Sequence, residues 1–254
     1  MTDNNNYNIF EEKFLRCFNA HFGEDIRGMC KMSGTHECVP YFYALTEYLL
    51  SENEKYNLTS IKNIDEIILK HYIDSLMPLK YFEIPENSKI IDIGTGAGFP
   101  ALPLAIMRED LCLTFLDSAN KKINFIKNAL EKIRRDNRDY LFHCGRAEEL
   151  GRDIKVRETY DFAVSRAVAR LNVLCELAAP FIKPGGYFIA YKSKNAPEEI
   201  SEAANALKIL DLKIDEIKEF ELGEDKRVLI KIKKLKNTST KYARNFSNIT
   251  KNPL

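Results

Sequence analysis

The chain has 254 residues and a mass of 29.3 kDa, room for one large α/β domain with an appendage. With 45% hydrophobic and 30% charged residues it can bury a core and stay in solution, which excludes collagen-like and disordered classes; its apolar runs fall short of the ~20 residues that a bilayer span requires. The formal charge of +1 hides an asymmetry, because nine Lys or Arg and no acid follow Asp225, leaving 29 basic against 37 acidic residues in 1–225, a charge of −8. A basic end of this kind fits a polyanionic partner through counterion release, or a solvated tail joined to a sheet edge that Lys protects from pairing. The polar start MTDNNNYN lacks the pattern of a secretion signal, and six widely spaced cysteines (17, 30, 38, 112, 144, 175) suit reduced thiols, so a cytoplasmic protein is expected.

Residues 1–88 read as helical. EEKFLRCFNAHF (11–22), YFYALTEYLLSENEKY (41–56) and IDEIILKHYIDSLMPL (64–79) space apolar residues three and four apart, and Asp65 and Glu66 stand where a helix dipole favours anions. The stretch 23–40 between the first two, with three glycines and a proline, reads as a loop. From residue 89 the period changes. KIIDIG, LCLTFLD, YLFHCG, YDFAVSRA and GGYFIAYKS alternate with amphipathic runs, the rhythm of βα units and of a mostly parallel, doubly wound sheet. DLKIDEIKEFEL and RVLIKIKKL follow one another with only LGEDK between them, so they pair as an antiparallel hairpin. The expected fold is therefore α/β and Rossmann-like: a seven-stranded sheet with a terminal hairpin over residues 89–235, a helical cap over 1–88 and a basic tail over 236–254.

The strongest local signal is Lys89 to Pro100, KIIDIGTGAGFP, a buried strand running into glycines and then a residue that opens a helix. Counted from Gly94, a dinucleotide fingerprint needs its third glycine at position 99, which is Phe99, whereas Gly96 and Gly98 follow a D-x-G-x-G-x-G pattern headed by Asp92. The next strand ends at Asp117, where a carboxylate can accept hydrogen bonds from ribose hydroxyls and also cap the helix expected over 118–130. After the third strand, Gly145 to Glu149 offers a backbone amide and a carboxylate. Arg166, at the carboxyl end of the fourth strand, can stack on a base, bind phosphate or form a rim salt bridge. His71 and Asp74 are three apart on one helix and read as a structural pair joining cap to sheet. Cys17, His21, Cys30, His36 and Cys38 match no common zinc spacing, so no metal is expected.

Asn57-Leu-Thr-Ser60, His71-Tyr-Ile-Asp-Ser75, Asp92 to Pro100, Leu116-Asp-Ser118, Arg146-Ala-Glu148, Ser165-Arg-Ala167 and the terminal Lys241-Tyr-Ala-Arg244 together resemble the bacterial small-subunit ribosomal RNA methyltransferase G family, also called glucose-inhibited division protein B, over roughly residues 41–254. The resemblance implies methylation of guanine N7 in 16S ribosomal RNA with S-adenosyl-L-methionine as donor. It implies cofactor contacts at Asp92, Gly94, Gly96, Gly98, Phe99, Asp117, Ala147, Glu148 and Arg166, and substrate positioning by Asn57, Arg146, Lys192, Lys241 and Arg244. The partner implied is 16S rRNA or the small ribosomal subunit; no membrane partner is expected, and a monomer is favoured over an oligomer, which the sequence leaves open. Ala243 departs from the family's Lys-Tyr-Pro-Arg, and residues 23–40 have no counterpart. Guanine N7 carries a lone pair and no proton, so no general base is required. The absence of an Asn/Asp-Pro-Pro-aromatic motif and of a Pro-Cys nucleophile agrees with that chemistry. Alternatives are a small-molecule methyltransferase, which has no use for a basic tail, and a noncatalytic RNA-binding assembly factor, which has no use for an intact cofactor loop.

Overall fold

The structure, a computed structural model, describes residues 2–23, 35–133 and 140–254. Seven strands, β1 (Lys89–Ile93), β2 (Cys112–Asp117), β3 (Leu141–Cys144), β4 (Tyr160–Arg166), β5 (Ile182–Ser193), β6 (Leu212–Leu222) and β7 (Asp225–Lys234), form one sheet in the order β3-β2-β1-β4-β5-β7-β6. The first five are parallel. β7 enters antiparallel between β5 and β6, as the short LGEDK connection demands. This is the class I methyltransferase sheet expected from the sequence, with the reversal of strand order between β1 and β4 opening a crevice at their carboxyl ends.

Central strands are buried on both faces, which is why they read as nearly continuous apolar runs. Ile90 and Phe115 face one helical layer; Ile91 and Leu116 face the other. The first layer holds α1 (Thr2–Phe22), α2 (Thr35–Tyr56), α5 (Ala101–Met107) and α6 (Asn120–Lys132). In α1 the rings of Phe10, Phe14, Phe18 and Phe22 recur every four residues and stack in succession, with centroids 6.0, 5.9 and 4.5 Å apart. These rings share one hydrophobic cluster with Ile90 and Phe115, so the described helices before β1 pack on one face of the sheet. The opposite layer holds α8 (Leu171–Ala178), α9 (Ala196–Glu202) and α10 (Ala204–Ile209).

Several sequence expectations change. α2 begins at Thr35 within the expected loop, and Pro40 lies inside it: Cys38, Val39 and Phe42 are fully buried, and packing overrides the lost backbone donor. Residues 24–34, including Cys30, lie outside the described residues. His36 pairs with Glu11, Cys38 is in the core, and no cluster able to hold a metal occurs among the described residues. The segment 196–209 is two helices divided at Ala203. Helix 64–79 is composite: α3 (Ile64–Glu66), a wider π-helical stretch Ile67–Ile73, and α4 (Asp74–Tyr81).

The basic end is not a free arm. Of its nine cations, Arg227, Lys231, Lys234, Lys236 and Arg244 pair with acids. Lys234 is fully buried, donating to Glu158 and to the carbonyls of Ala179 and Ile182. Tail residues run across the outside of α8 and end in a short helix, α11 (Phe246–Lys251), capped by the Asn245 side chain accepting from Asn248 N–H.

Candidate active site

The crevice holds a cavity of about 460 Å³ lined by the glycine loop, by Asp117 and Ser118 after β2, by Gly145 to Glu148 after β3, and by Arg166 to Val168 after β4. Gly94, Gly96 and Gly98 all adopt positive φ, but for different reasons. A Cβ at Gly98 would stand 2.3 Å from Leu102, so this glycine lets α5 pack on the loop; it does not line the cavity. A Cβ at Gly94 would strike Val168 at 2.5 Å. Gly96 is different: it lines the cavity, and a Cβ there would meet only Gly94 O at 3.9 Å, leaving bare backbone for a ligand to approach.

Asp92 is buried behind the loop and does not line the cavity. Its Oδ2 accepts from Thr95 Oγ1 (2.7 Å) and Ala101 N–H (3.3 Å), tying both ends of the loop to β1, while Oδ1 has no partner among the described residues. Burial pushes its carboxyl up to about 7 despite these hydrogen bonds. Asp117 is also buried at the strand end. It accepts from Gly96 N–H (3.0 Å) and from Ala119 N–H (2.9 Å), with Lys122 Nζ 3.3 Å away. Ala119 rather than Asp117 is the N-cap of α6, which starts at Asn120; Asp117 braces the turn before it.

The expected His71–Asp74 pair does not form directly. Arg166 reaches between them, donating through Nη1 to Asp74 Oδ2 (3.1 Å) and Lys70 O (2.9 Å) and through Nη2 to His71 Nδ1 (3.3 Å). Because Nδ1 accepts, the ring proton sits on Nε2 and is donated to Thr59 Oγ1, 2.9 Å away. Burial, assisted by Arg166, drives the His71 pKa down to about 3, so the ring is neutral and both its nitrogens are committed. It lies face to face with Phe99, centroids 4.4 Å apart and planes 6° apart, and Arg166 stands 5.4 Å over the same ring. The sequence motifs thus acquire physical roles. Ser165 Oγ donates to Ile93 O and ties β4 to β1, Arg166 ties β4 to the π-helical stretch, and Ala167 turns the chain at φ +58. Ser75 O accepts from the buried Tyr191 hydroxyl of β5.

A second cavity, about 410 Å³, adjoins the first and shares His71, Arg166 and Ala167 with it. Asp74, Tyr191, Lys192, Glu199 and Arg227 line its far side. Burial raises the Asp74 pKa against the lowering pull of Arg166 and Arg227. Lys192, buried on β5, donates to Glu199 Oε2 (2.6 Å) and Ala169 O (2.7 Å).

Among the expected substrate-positioning residues, Arg146 lines the first cavity and Lys192 the second. Asn57 is exposed at φ +50, closing the end of α2; its neighbours Leu58 and Thr59 line the cavity instead. Lys241 is exposed over the ring of Tyr242, and Arg244 is bound to Glu176, so neither lines a cavity. Two contributors take roles that the sequence did not assign them, Thr59 being read only as part of the Asn57–Ser60 motif and Phe246 as a tail aromatic able to stack on unpaired bases. Thr59 orients His71, and its backbone is bracketed by the Asn53 amide. Phe246, on α11, closes one wall of the first cavity beneath the Arg146 guanidinium, 5.2 Å from its ring.

Comparison with known proteins agrees with this geometry. The family model described as rRNA small subunit methyltransferase G matches residues 40–229. A ribosomal RNA small subunit methyltransferase G of Thermoanaerobacter sp. (strain X514) is 46% identical over 215 residues, covering 84% of this chain and 88% of that protein. One of Clostridium beijerinckii is 42% identical over 233 residues, covering 91% and 95%. In fold, the chain resembles TrmN from Thermus thermophilus (TM-score 0.50, 15% identity, 66% of this chain and 53% of that one) and the YcgJ protein from Bacillus subtilis (TM-score 0.50, 12% identity, 66% and 100%). With a family match spanning most of the sheet domain and relatives sharing nearly half their residues with it, the chain belongs to the rRNA small subunit methyltransferase G family.

Proposed function

We propose that the chain transfers the methyl group of S-adenosyl-L-methionine to N7 of a guanine in 16S rRNA, working as a monomer on the small ribosomal subunit in the cytoplasm. The observation that carries this reading is the meeting of the two cavities at Arg166 and Ala167: one has the features of a nucleoside-binding crevice, and the other is a polar recess opening beside it. In the first, Gly94 to Ala97 and Phe99 offer bare or flat surface to a ligand. Asp117 keeps an acceptor lone pair on Oδ1 for a ribose hydroxyl, and Glu148, buried at the head of α7 (Ala147–Leu150), offers a carboxylate to an exocyclic amine beside the Ala147 backbone. That donor and acceptor set fits the cofactor, whose sulfonium supplies an electrophilic methyl group.

The protein's own task is then positioning. Guanine N7 attacks with an in-plane lone pair and releases no proton, which agrees with His71 being neutral and fully hydrogen-bonded. Arg166 is held at the junction with Asp74 as its counter-charge, so its position does not depend on the substrate.

The test is incubation with methyl-tritiated S-adenosyl-L-methionine and, in parallel, small ribosomal subunits, naked 16S RNA and a metabolite extract. Label is expected in 16S RNA at a single guanine that borohydride reduction and aniline cleave, the signature of a 7-methyl purine. Label confined to small molecules would overturn the reading in favour of a small-molecule methyltransferase, and no transfer at all would favour a noncatalytic binding role.

A further inference from the structure

The second cavity contains an ion pair of unusual placement. Lys192 and Glu199 are both largely buried, 7% and 14% exposed in their side chains, and they face the recess instead of the outer surface. Glu199 Oε2 is saturated, accepting from Lys192 Nζ and from Leu171 N–H at 2.8 Å, the latter fixing the start of α8. Both side-chain hydrogen bonds of Glu199 among the described residues fall on Oε2, leaving Oε1 without one, and the residue lines the cavity. Lys192 has one N–H remaining after Glu199 and Ala169 O. The recess therefore presents one ammonium donor and one carboxylate acceptor side by side, on supports that cannot turn away.

This pattern is complementary to one nucleobase edge. Guanine shows an O6 acceptor next to its N1–H and N2–H donors, whereas adenine shows a donor next to an acceptor. Resting on the methyl-transfer reading above, the geometry points to Lys192 and Glu199 as the residues that select guanine, with Lys192 donating to O6 and Glu199 Oε1 accepting from the exocyclic amine. Held by that edge, the opposite, imidazole side of the purine turns N7 toward the junction with the first cavity.

The same contact acts on rate as well as on choice of base. Methylation of N7 places a positive charge on the purine and makes its N–H groups more acidic, so a hydrogen bond to a carboxylate strengthens as the new C–N bond forms. A fixed carboxylate at Oε1 thereby favours the transition state over the ground state. Glutamine at the same position keeps an oxygen for Leu171 N–H but loses the charge, and so separates this role from support of α8.

The measurement uses small subunits rebuilt with RNA carrying either guanosine or inosine at the acceptor position once that position is mapped. Inosine keeps O6 and N7 but has no exocyclic amine. Wild-type enzyme is expected to methylate the guanosine subunits about ten-fold or more efficiently than the inosine ones. Glu199→Gln is expected to fall to the inosine level on guanosine subunits, mainly through kcat, to change little on inosine subunits, and to keep its affinity for S-adenosyl-L-methionine. Glu199→Asp, which keeps the charge but withdraws it, is expected to discriminate less than wild type while remaining folded by the same cofactor-binding criterion. Equal loss on both substrates, or an unchanged guanosine-to-inosine ratio in Glu199→Gln, would overturn the inference while leaving the methyltransferase reading intact. Wild-type enzyme that fails to label guanosine subunits would remove both.

Discussion

Arg244 meets Glu176 in a two-pronged ion pair that fastens the C-terminal segment to α8. Its Nη2 lies 2.6 Å from Oε2, its Nε lies 2.9 Å from Oε1, and its own backbone N–H also donates to Oε1. Glu176 is completely buried, so this arginine neutralises a core carboxylate as well as positioning the tail. Arg152 and Arg157 secure the same segment through the carbonyls of Ala243, Tyr242 and Thr238. Replacing Arg244 with Met strands the Glu176 charge, and a loss of about 3 kcal/mol in unfolding free energy is expected by urea denaturation. A loss below ~0.5 kcal/mol would mean that the tail is not part of the folded unit.

Because the tail places Phe246 on the wall of the first cavity, it bears on the cofactor as well as on RNA. Phe246→Ala removes an aromatic wall worth about 1 kcal/mol or more in stacking, so the dissociation constant for S-adenosyl-L-methionine should rise several-fold. The KM for ribosomal subunits at saturating cofactor should stay the same. Calorimetry with unchanged cofactor affinity would assign the ring to RNA instead.

Asp117 braces Gly96 and Ala119, and under the proposed function it also accepts from the cofactor ribose. Asp117→Ala is expected to weaken cofactor binding by about 1–3 kcal/mol, through a lost charged acceptor and a looser loop. Wild-type affinity in isothermal titration would exclude the ribose contact.

Asp92 carries a pH signature in stability. Its folded-state pKa, raised to about 7 from 3.8, exceeds the unfolded value, so between those limits the unfolded chain gives up its proton first and stability falls as pH rises. Asp92→Asn has no charge to desolvate. Relative to wild type it should gain up to a few kcal/mol between pH 4 and 7 and then level off. Parallel melting curves of the two proteins across that range would show that the buried carboxyl has no such cost.

Catalysis should lack a titrating base. With His71 depressed to about 3 and both ring nitrogens committed, the single-turnover rate should show no ascending limb near pH 6.5 that a His71 substitution removes. For stability the sign is opposite to that of Asp92: from 6.5 down to about 3 the unfolded chain takes up a proton that the folded ring refuses, so acid weakens the fold. An ascending kinetic limb abolished by His71→Phe would place proton transfer at this ring.

Chain-local chemistry carried much of this in the sequence itself. Apolar period and glycine spacing determined the alternation of strands and helices, the terminal hairpin and the loop at 94–98, because each depends on neighbours within a few residues. The strand-end positions of Asp117, Arg146 and Arg166 followed, since parallel strands bring their carboxyl ends to one crevice. Only tertiary structure decided what each charge does. Asp92 and Gly98 sit in the same motif as Gly96, yet burial makes one a tie for the loop and close helix packing makes the other a spacer. Lys234 and Arg244 look like RNA-binding cations in the sequence but neutralise Glu158 and Glu176, acids 76 and 68 residues away. Lys192 and Glu199 are close in the chain, but the cavity they face is assembled from the π-helical stretch, β4 and β5. A side chain's charge is written in the sequence, whereas its partner and its exposure are set by segments folded against it from far along the chain, and these determine whether the charge is spent on the core or left facing a ligand.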